Sequence, residues 1–447
     1  MFIIFVILGL LLIFIFGYFM CSFVLPKSAP PERLVLSFVV GISLFTFIWF
    51  LANWLGIPYT YFSGLLILII FTLLLWIGFK VLYKKESLNF KINLSYFKNL
   101  NLVEKIILGL ILFFLISSLV ADIYWPVRHW DSLALYDFRA KIFAETGFMK
   151  TAIEQGYFVG YPLLTSLSHT WAYLSGFKNP SFVYALFYIS FVLCFLFNLS
   201  KLKLGRIVVL LLTLMVAVAP KLFEHSLMAY TNLPYTVYLV LGSIYLYFGI
   251  RNKDLGSYVL SAIFIGLSTW TRSAEPFWLS FLIIATGYAL YHKKWLWPLF
   301  YSSVFFVLML PWRIFLSPYV VGSAAVVGQI VQTGYDAFNH VALPVIETTL
   351  KFSFQNAIMP YLPFFLIFVA ISIYKIVTKS KNWLYVFLIL LNLGLTVFGT
   401  LVYMRYTPGS QDIPDSLTRM VMFFPPMVII LIAEILSENS SYFNKDK

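Results

Sequence analysis

Long apolar runs alternate with short charged connections along almost the whole chain. Most runs are about 20 residues long, the length that an α-helix needs to cross the hydrocarbon core of a bilayer. They predict about thirteen membrane-spanning helices, near residues 2–25, 34–55, 59–79, 106–121, 181–200, 206–220, 232–250, 255–271, 274–291, 295–317, 357–377, 382–404 and 420–437. We therefore expect an all-α polytopic membrane protein.

The composition agrees with this pattern. Of 447 residues, 61% are hydrophobic and 11% are charged, whereas soluble domains carry roughly a quarter charged residues. The first run is longer than a signal-peptide core and has no basic residue before it, so we interpret it as a retained span. Cys21 and Cys194 fall inside predicted spans, where we expect small buried residues that form neither a disulfide framework nor a metal site.

The charges predict the orientation. If the loop with Lys27 and Arg33 is cytoplasmic, every second connection is basic, and the inner side holds 20 of the 31 Lys and Arg but 7 of the 18 Asp and Glu. The inner side then carries the whole formal charge of +13, as the positive-inside rule requires of a cell-membrane protein. The excess of basic residues thus reflects the orientation of the protein in the membrane and gives no support for nucleic-acid binding.

This orientation leaves four segments on the outer face as material for a site: 122–180, 221–231, 318–356 and 405–419. We interpret residues 1–105 as an N-terminal three-helix segment that ends in a cytoplasmic loop, and residues 106–447 as the module that carries the outer segments.

Residues 161–176 are apolar enough for a helix, but an additional span there would reverse every later loop. We expect an interfacial or re-entrant helix there, within surface-lying helices formed by 122–180.

Several motifs on the predicted outer face resemble those of bacterial GT-C glycosyltransferases. They are WDSLALYDFRAKIFAETG, YPLLTSLSHTWAYLSG, AYTNLPYTVYL, TRSAEPFWL and SLTRMVMFFPP, in this order between Asp122 and Pro426. Two features depart from the family pattern: Asn232 stands where an Asp is frequent, and TRSAEP has one extra residue before the acid. The resemblance implies a GT-C-like membrane enzyme that transfers a sugar from a polyprenyl-phosphate donor to a glycan, lipid or protein acceptor.

Such a transfer needs a carboxylate as general base for the acceptor hydroxyl. Asp131 is the first candidate because it opens the helix-like stretch 132–144 directly after Trp130. The alternative is that Asp131 caps this helix. Asp122 is the second candidate, and its alternative is an ordinary polar helix end.

The leaving phosphate needs a cation, and Arg419 is the first candidate because positive-inside bias disfavours an arginine anchor on the outer face. Its alternative role is a snorkelling anchor. Arg405 is a second candidate for the phosphate. Arg272 and Glu275 are further substrate-binding candidates that would pair with each other.

Aromatic side chains suit sugar faces and interfacial depth, which makes Trp130 and Tyr161 candidates for the sugar. In the stretch 132–144 the charged positions share one helical face, which predicts an amphipathic helix on the membrane surface. We expect Asp137 to be solvated there, while Arg139 and Lys141 would contact headgroups or the carrier phosphate.

The acid–imidazole pair Glu224-His225 is a candidate for binding a divalent metal ion together with Asp131. The alternative is a hydrogen-bonded pair in a loop, and no other cofactor is indicated. His129 and His169 have no ligand spacing, so we expect them to be interfacial.

Three other function classes remain open. A lipid-linked polysaccharide polymerase or ligase would also join sugars at the outer face. A transporter or flippase of lipid-linked sugars would place charges within its spans, whereas here the polar residues gather on one face. A non-catalytic assembly subunit is the third class, and Asn232 favours it.

Overall fold

The computed structural model of the protein describes residues 2–83, 98–154, 161–272, 276–319, 343–380, 383–406 and 414–443, and these ranges contain helices but no β-strand. The α-helices are α1 (Phe2–Val24), α2 (Pro30–Trp54), α3 (Tyr61–Leu82), α4 (Leu102–Tyr124), α5 (Phe138–Thr146), α6 (Met149–Glu154), α7 (Leu164–Leu174), α8 (Phe182–Ser200), α9 (Arg206–Ala217), α10 (Pro220–Ser226), α11 (Asn232–Asn252), α12 (Leu255–Thr271), α13 (Trp278–Tyr291), α14 (Leu296–Leu316), α15 (Leu343–Ser353), α16 (Leu362–Val377), α17 (Leu384–Tyr406), α18 (Pro414–Met420) and α19 (Phe424–Phe443). Helices are expected because a bilayer offers no water to unpaired backbone groups.

The described residues contain nine helical stretches that are long and apolar enough to span a membrane, or ten if the bent pair α9 and α10 counts as one span. This confirms a helical multi-span membrane protein. Each of the thirteen predicted segments contains an α-helix, but α12 and α13 have only 17 and 14 residues. At 1.5 Å per residue, these lengths fall below the usual span.

The centre of the bundle is α11, whose most apolar 18-residue window is 94% buried. The corresponding windows of α8 and α2 are 78% and 72% buried, whereas that of α3 is 11% buried. Buried aromatic side chains join the central helices: the ring of Trp270 lies 5.1 Å from that of Phe50 and 5.4 Å from that of Phe47. The helices with low burial expose apolar side chains on the outside of the bundle.

Helix α7 is short and buried. Its 11 residues span about 16 Å, which is too short to cross a hydrocarbon core of about 30 Å. Trp171 of α7 packs between α2 and α3, with its ring 5.0 Å from Phe45 and stacked on Tyr61 at 5.1 Å. A Cβ atom at Gly64 would lie 2.4 Å from this indole. Part of 122–180 is thus enclosed by protein, and the interfacial or re-entrant position of α7 stays a prediction.

Ion pairs join several helices at the end of the bundle opposite residues 122–180. Lys201 of α8 pairs with the buried Glu32 of α2, which also accepts a hydrogen bond of 2.6 Å from Tyr245. Lys375 and Glu434, which are 0% and 1% exposed, join α16 to α19 with an N–O distance of 3.4 Å. The first pair joins two central helices and the second joins α16 to α19, and in both the paired partner offsets the cost of burying a charge.

The orientation can be tested by cysteine labelling, because the native Cys21 and Cys194 are both buried and can be replaced. We expect Ser87→Cys, in the predicted cytoplasmic loop 84–105, to react with an impermeant maleimide only in permeabilised cells. Residues 84–97 of this loop lie outside the described residues. Lys178→Cys, at an exposed position before α8, should react in intact cells. Labelling of Ser87→Cys in intact cells would reverse the assignment.

Candidate functional site

The segment after α4 is held by α2. Gly147 ends α5 with a φ of +76°, a conformation that favours glycine. Its carbonyl accepts hydrogen bonds from the side-chain amide of Asn53 at 2.9 Å and from the backbone of Tyr59 at 2.7 Å. The Asn53 side chain also accepts from the backbone of Met149 at 3.1 Å. The connection between α5 and α6 is therefore fixed to the end of α2.

Asp131 does not cap a helix. Helical structure begins at Trp130, and Leu133 donates a backbone hydrogen bond of 2.9 Å to the carbonyl of His129. Asp131 already has helical dihedral angles, and its carboxylate makes no capping hydrogen bond to the π-helical turn Ser132–Asp137 that follows. The structure thus removes the capping alternative and leaves the carboxylate directed elsewhere.

The carboxylate of Asp131 faces Arg419. Its Oδ2 lies 3.7 Å from Arg419 Nη1, and the two side chains are 42% and 14% exposed. Helix α18 holds Arg419 in place through Thr418, whose carbonyl accepts from Tyr361 at 3.1 Å and whose hydroxyl donates to the carbonyl of Asn356 at 2.7 Å. The first base candidate and the first phosphate candidate are therefore neighbours.

Tyr230 lies beneath this ion pair, and sequence reasoning missed it. The guanidinium carbon of Arg419 is 5.3 Å from the centre of the Tyr230 ring, within the range of a cation–π contact. The rings of His129 and His225 each lie 5.8 Å from the same ring. Tyr230 belongs to the motif AYTNLPYTVYL, but the motif does not show whether a tyrosine in it is structural or functional.

The neighbouring Thr231 contacts a second arginine. Arg272 Nη1 donates a hydrogen bond of 3.2 Å to the Thr231 hydroxyl, and its guanidinium carbon lies 5.4 Å from the Tyr161 ring. The Thr231 hydroxyl also lies 3.2 Å from that of Tyr136, whose ring is 5.7 Å from that of Tyr161. Burial raises the pKa of Tyr136 to about 12, so this phenol keeps its proton at neutral pH.

These residues form two contact groups, which the chain neighbours Tyr230 and Thr231 connect, and together they are the candidate site. We call it the arginine–tyrosine cluster and define it as His129, Asp131, Tyr136, Tyr161, Tyr230, Thr231, Arg272 and Arg419. It contains two guanidinium groups, one carboxylate, one imidazole and three phenols, and it lies at the end of α4 where the predicted outer segments meet.

Asp137 is buried rather than solvated, which corrects the predicted amphipathic helix. Its Oδ1 lies 3.1 Å from His169 Nδ1 and accepts from Tyr173, while Lys141 lies 2.9 Å from Oδ2. Burial acts to raise the pKa of Asp137, but the bonds from these three residues outweigh it and hold the pKa at about 2. His169, expected to be interfacial, is also buried, and its Nε2 lies 2.9 Å from the hydroxyl of Tyr184.

Arg139 and Lys141 differ in their surroundings. Arg139 is 1% exposed and donates to the hydroxyl of Ser166 at 2.9 Å and to the carbonyls of Tyr161 and Pro162 at 3.0 and 3.3 Å. Its guanidinium therefore positions Tyr161, and it does not lie on a solvated helix face as the amphipathic pattern suggested. Lys141 is 53% exposed and pairs with Asp137.

Asp122, the second base candidate, is buried at 3% exposure. Its Oδ2 accepts a hydrogen bond of 3.1 Å from the backbone of Ala185 in the first turn of α8. Its carbonyl accepts from the side chain of Asn179 at 2.7 Å. These bonds connect α4 to the start of α8, which is a structural role.

The Glu224-His225 pair does not converge with other metal ligands. Glu224 forms an ion pair of 3.0 Å with Lys221, and His225 is buried against Tyr230. Among the described residues there is no group of three or more His, Cys, Asp or Glu side chains that could hold a metal ion. The described residues therefore give no support to the divalent-metal site that the sequence suggested.

Three site candidates remain, of which one is exposed and two have side chains that the structure does not describe. Trp130 is 79% exposed beside Asp131. Glu275 and the side chain of Arg405 lie outside the described residues.

Comparison with known proteins adds no relative. No family model, no curated protein and no solved structure matches the chain.

Proposed function

We propose that the protein is a GT-C-type membrane glycosyltransferase with thirteen spans, which transfers a sugar from a polyprenyl-phosphate donor to an acceptor at the outer face of the cell membrane. The observation that carries the proposal is the approach of Asp131 to Arg419 at 3.7 Å. A carboxylate and a guanidinium are the two groups that such a transfer requires side by side, one for the acceptor proton and one for the leaving phosphate.

Asp131 serves as the general base in this proposal. Its carboxylate takes the proton of the acceptor hydroxyl while the oxygen attacks the anomeric carbon. The bond between this carbon and the phosphate oxygen breaks, and its electron pair leaves with the polyprenyl phosphate. An exposed fraction of 42% gives the Asp131 side chain access to an incoming acceptor.

Arg419 stabilises the charge that develops on the leaving phosphate. Arginine suits this task because its planar guanidinium donates two parallel hydrogen bonds to phosphate oxygens. The Tyr230 ring supports the guanidinium from below at 5.3 Å, so little side-chain freedom remains to be lost when the donor binds. Before the donor binds, the Asp131 carboxylate pairs with the guanidinium, and the donor phosphate then replaces it.

The rest of the cluster is suited to a sugar. Tyr161 and Tyr136 present aromatic faces, and Arg272 lies over Tyr161 within hydrogen-bonding distance of Thr231. Trp130, exposed at the same end, adds an aromatic face at the depth of the membrane surface.

The test is a transfer assay with variants of Arg419. Proteoliposomes receive a membrane-lipid extract as acceptor and a panel of radiolabelled hexoses linked to polyprenyl phosphate, and donor consumption is measured. We expect Arg419→Ala to lower the rate by about 10²-fold, as for loss of one charge-stabilising donor. Arg419→Lys should be intermediate because it keeps the charge but not the paired donors.

Arg251 provides the matched control, because its guanidinium carbon lies 5.6 Å from the Tyr247 ring at the opposite end of the bundle. Arg251→Ala should transfer at the wild-type rate. If no donor in the panel is consumed faster than by empty liposomes, the transferase proposal fails. Growth of a long saccharide on the carrier would instead indicate the polymerase alternative.

A further inference from the structure

His129 carries a buried nitrogen atom that has no hydrogen-bond partner among the described residues. The side chain as a whole is half-buried, but its Nε2 is enclosed and makes no hydrogen bond within the described residues. Buried polar atoms in folded proteins are nearly always hydrogen-bonded. The atom lies in the arginine–tyrosine cluster, where a substrate would supply the missing partner.

The neighbours of His129 indicate the chemistry of that partner. Its ring is 5.8 Å from the Tyr230 ring, which also supports Arg419 at 5.3 Å, and Asp131 follows two residues later in the chain. An imidazole N–H and a guanidinium beside one phenol ring both donate hydrogen bonds. A phosphate group has several acceptor oxygens and, when ionised, no donor, so it matches this pair of groups.

We infer that His129 donates a hydrogen bond from Nε2 to the same phosphate group that Arg419 binds. This inference rests on the proposed function and adds a second phosphate-binding residue to it. The chemistry would be the same for a free phosphate ion and for a lipid-linked phosphate. His129 follows α4, a candidate membrane span, and this favours the lipid-linked form, because the apolar part of the carrier can remain in the bilayer.

Phosphate binding should be linked to proton uptake by His129. Burial lowers the pKa of His129 below its ordinary 6.5, Arg128 lowers it further, and Glu224 opposes them. Other ionisable groups near Tyr230 are Arg419, which pairs with Asp131, and His225. A bound phosphate adds negative charge and raises the pKa of the imidazole. The imidazolium form therefore becomes favoured in the complex, and affinity should fall as pH rises.

The experiment measures binding of polyprenyl phosphate to the purified full-length protein in nanodiscs, with polyprenol as the uncharged control lipid. His129→Phe keeps a ring against Tyr230 but removes the N–H. We expect it to weaken the binding of polyprenyl phosphate about tenfold. His129→Gln, which restores a donor, should recover most of this loss. Neither variant should change the binding of polyprenol.

The control variant is His292→Phe, because His292 lies between α13 and α14, near the ring of Tyr288. It should keep both the wild-type affinity and the wild-type pH dependence. The pH dependence of His129→Phe should be shallower than that of the control. Inorganic phosphate at equal concentration should not displace the lipid.

The outcomes separate the inference from the proposed function. One outcome is that Arg419→Ala no longer prefers polyprenyl phosphate to polyprenol, while His129→Phe keeps the wild-type affinity for polyprenyl phosphate and its pH dependence. In that case the role of His129 is wrong and the transferase proposal stands. If the wild-type protein binds polyprenol as tightly as polyprenyl phosphate, the donor class of the proposed function is itself wrong. If inorganic phosphate displaces the lipid, the inference of a lipid-linked ligand is overturned.

Discussion

Asp131→Asn is expected to lower the rate of sugar transfer by a factor of about 10² to 10⁴, because this is the usual loss when a general base is removed. The substitution keeps the size of the side chain and removes its ability to take a proton. It should leave the stability of the protein nearly unchanged, since Asp131 caps no helix and its ion pair with Arg419 is partly exposed. Exposed pairs of this kind contribute about 0–1 kcal/mol.

The measurement is the initial rate per folded molecule in proteoliposomes, with the folded fraction taken from size-exclusion chromatography. Asp122→Asn is the matched control because Asp122 is a buried carboxylate that connects α4 to α8. It should lower thermal stability and keep the turnover of the folded fraction. The assignment of the base is wrong if Asp131→Asn transfers at the wild-type rate, and a large loss in Asp122→Asn would move the role there.

The helical membrane class was predictable from the sequence because bilayer thickness imposes a length on every span. The number of spans was harder to predict from the sequence, because α12 and α13 are apolar but short. Their flanking charges predicted two crossings, while their lengths of 17 and 14 residues lie at or below the usual limit. Hydropathy reports which residues avoid water, but it does not report whether lipid or protein surrounds them.

Asp131 and Arg419 could be named as candidates because charges are conspicuous on a nearly uncharged background. Tyr230 could not, because a tyrosine among 29 in an aromatic-rich chain carries no distinguishing signal. It belongs to the cluster through contacts with residues that are distant in the chain, Arg419 at 5.3 Å and His129 at 5.8 Å. Such contacts depend on how the helices pack.

The stretch 132–144 shows how periodicity can mislead. Its charged positions share one face, which is typical of a helix on the membrane surface, yet Asp137 and Arg139 are buried. The reason is that α7 supplies polar partners, His169 to the carboxylate and Ser166 to the guanidinium. A buried charge is tolerated when it is paired and hydrogen-bonded, and these partners cannot be inferred from the helical period of 132–144 alone.

Asp137→Ala should therefore be among the most destabilising single substitutions in the chain, at about 3–5 kcal/mol, the usual cost of breaking a buried ion pair by removing one partner. It leaves the imidazole of His169, the hydroxyl of Tyr173 and the ammonium of Lys141 without their common acceptor. Because α5 and α7 carry these groups, we expect them to separate and to displace Tyr136 from Thr231. Thermal unfolding in detergent measures the effect.

Glu154→Ala is the matched control. Glu154 pairs with Lys150 four residues earlier at 3.4 Å, as Asp137 pairs with Lys141 four residues later, but both side chains of the control pair are more than half exposed. Its removal should change stability by less than about 0.5 kcal/mol. Equal effects of the two substitutions would mean that the burial of Asp137 contributes nothing.

The same network predicts how stability depends on acid. The pKa of Asp137 is lowered from 3.8 to about 2 in the folded protein, so its ionised form is favoured by folding. The resulting stabilisation, about 2 kcal/mol, is fully present above the unfolded pKa near 4 and is lost as pH falls through 2. Wild-type protein should lose stability relative to Asp137→Ala across this window, whereas Glu154→Ala should follow the wild type. If the stability of all three proteins changed equally with pH, the Asp137 carboxylate would not be held in its ionised form by His169, Tyr173 and Lys141.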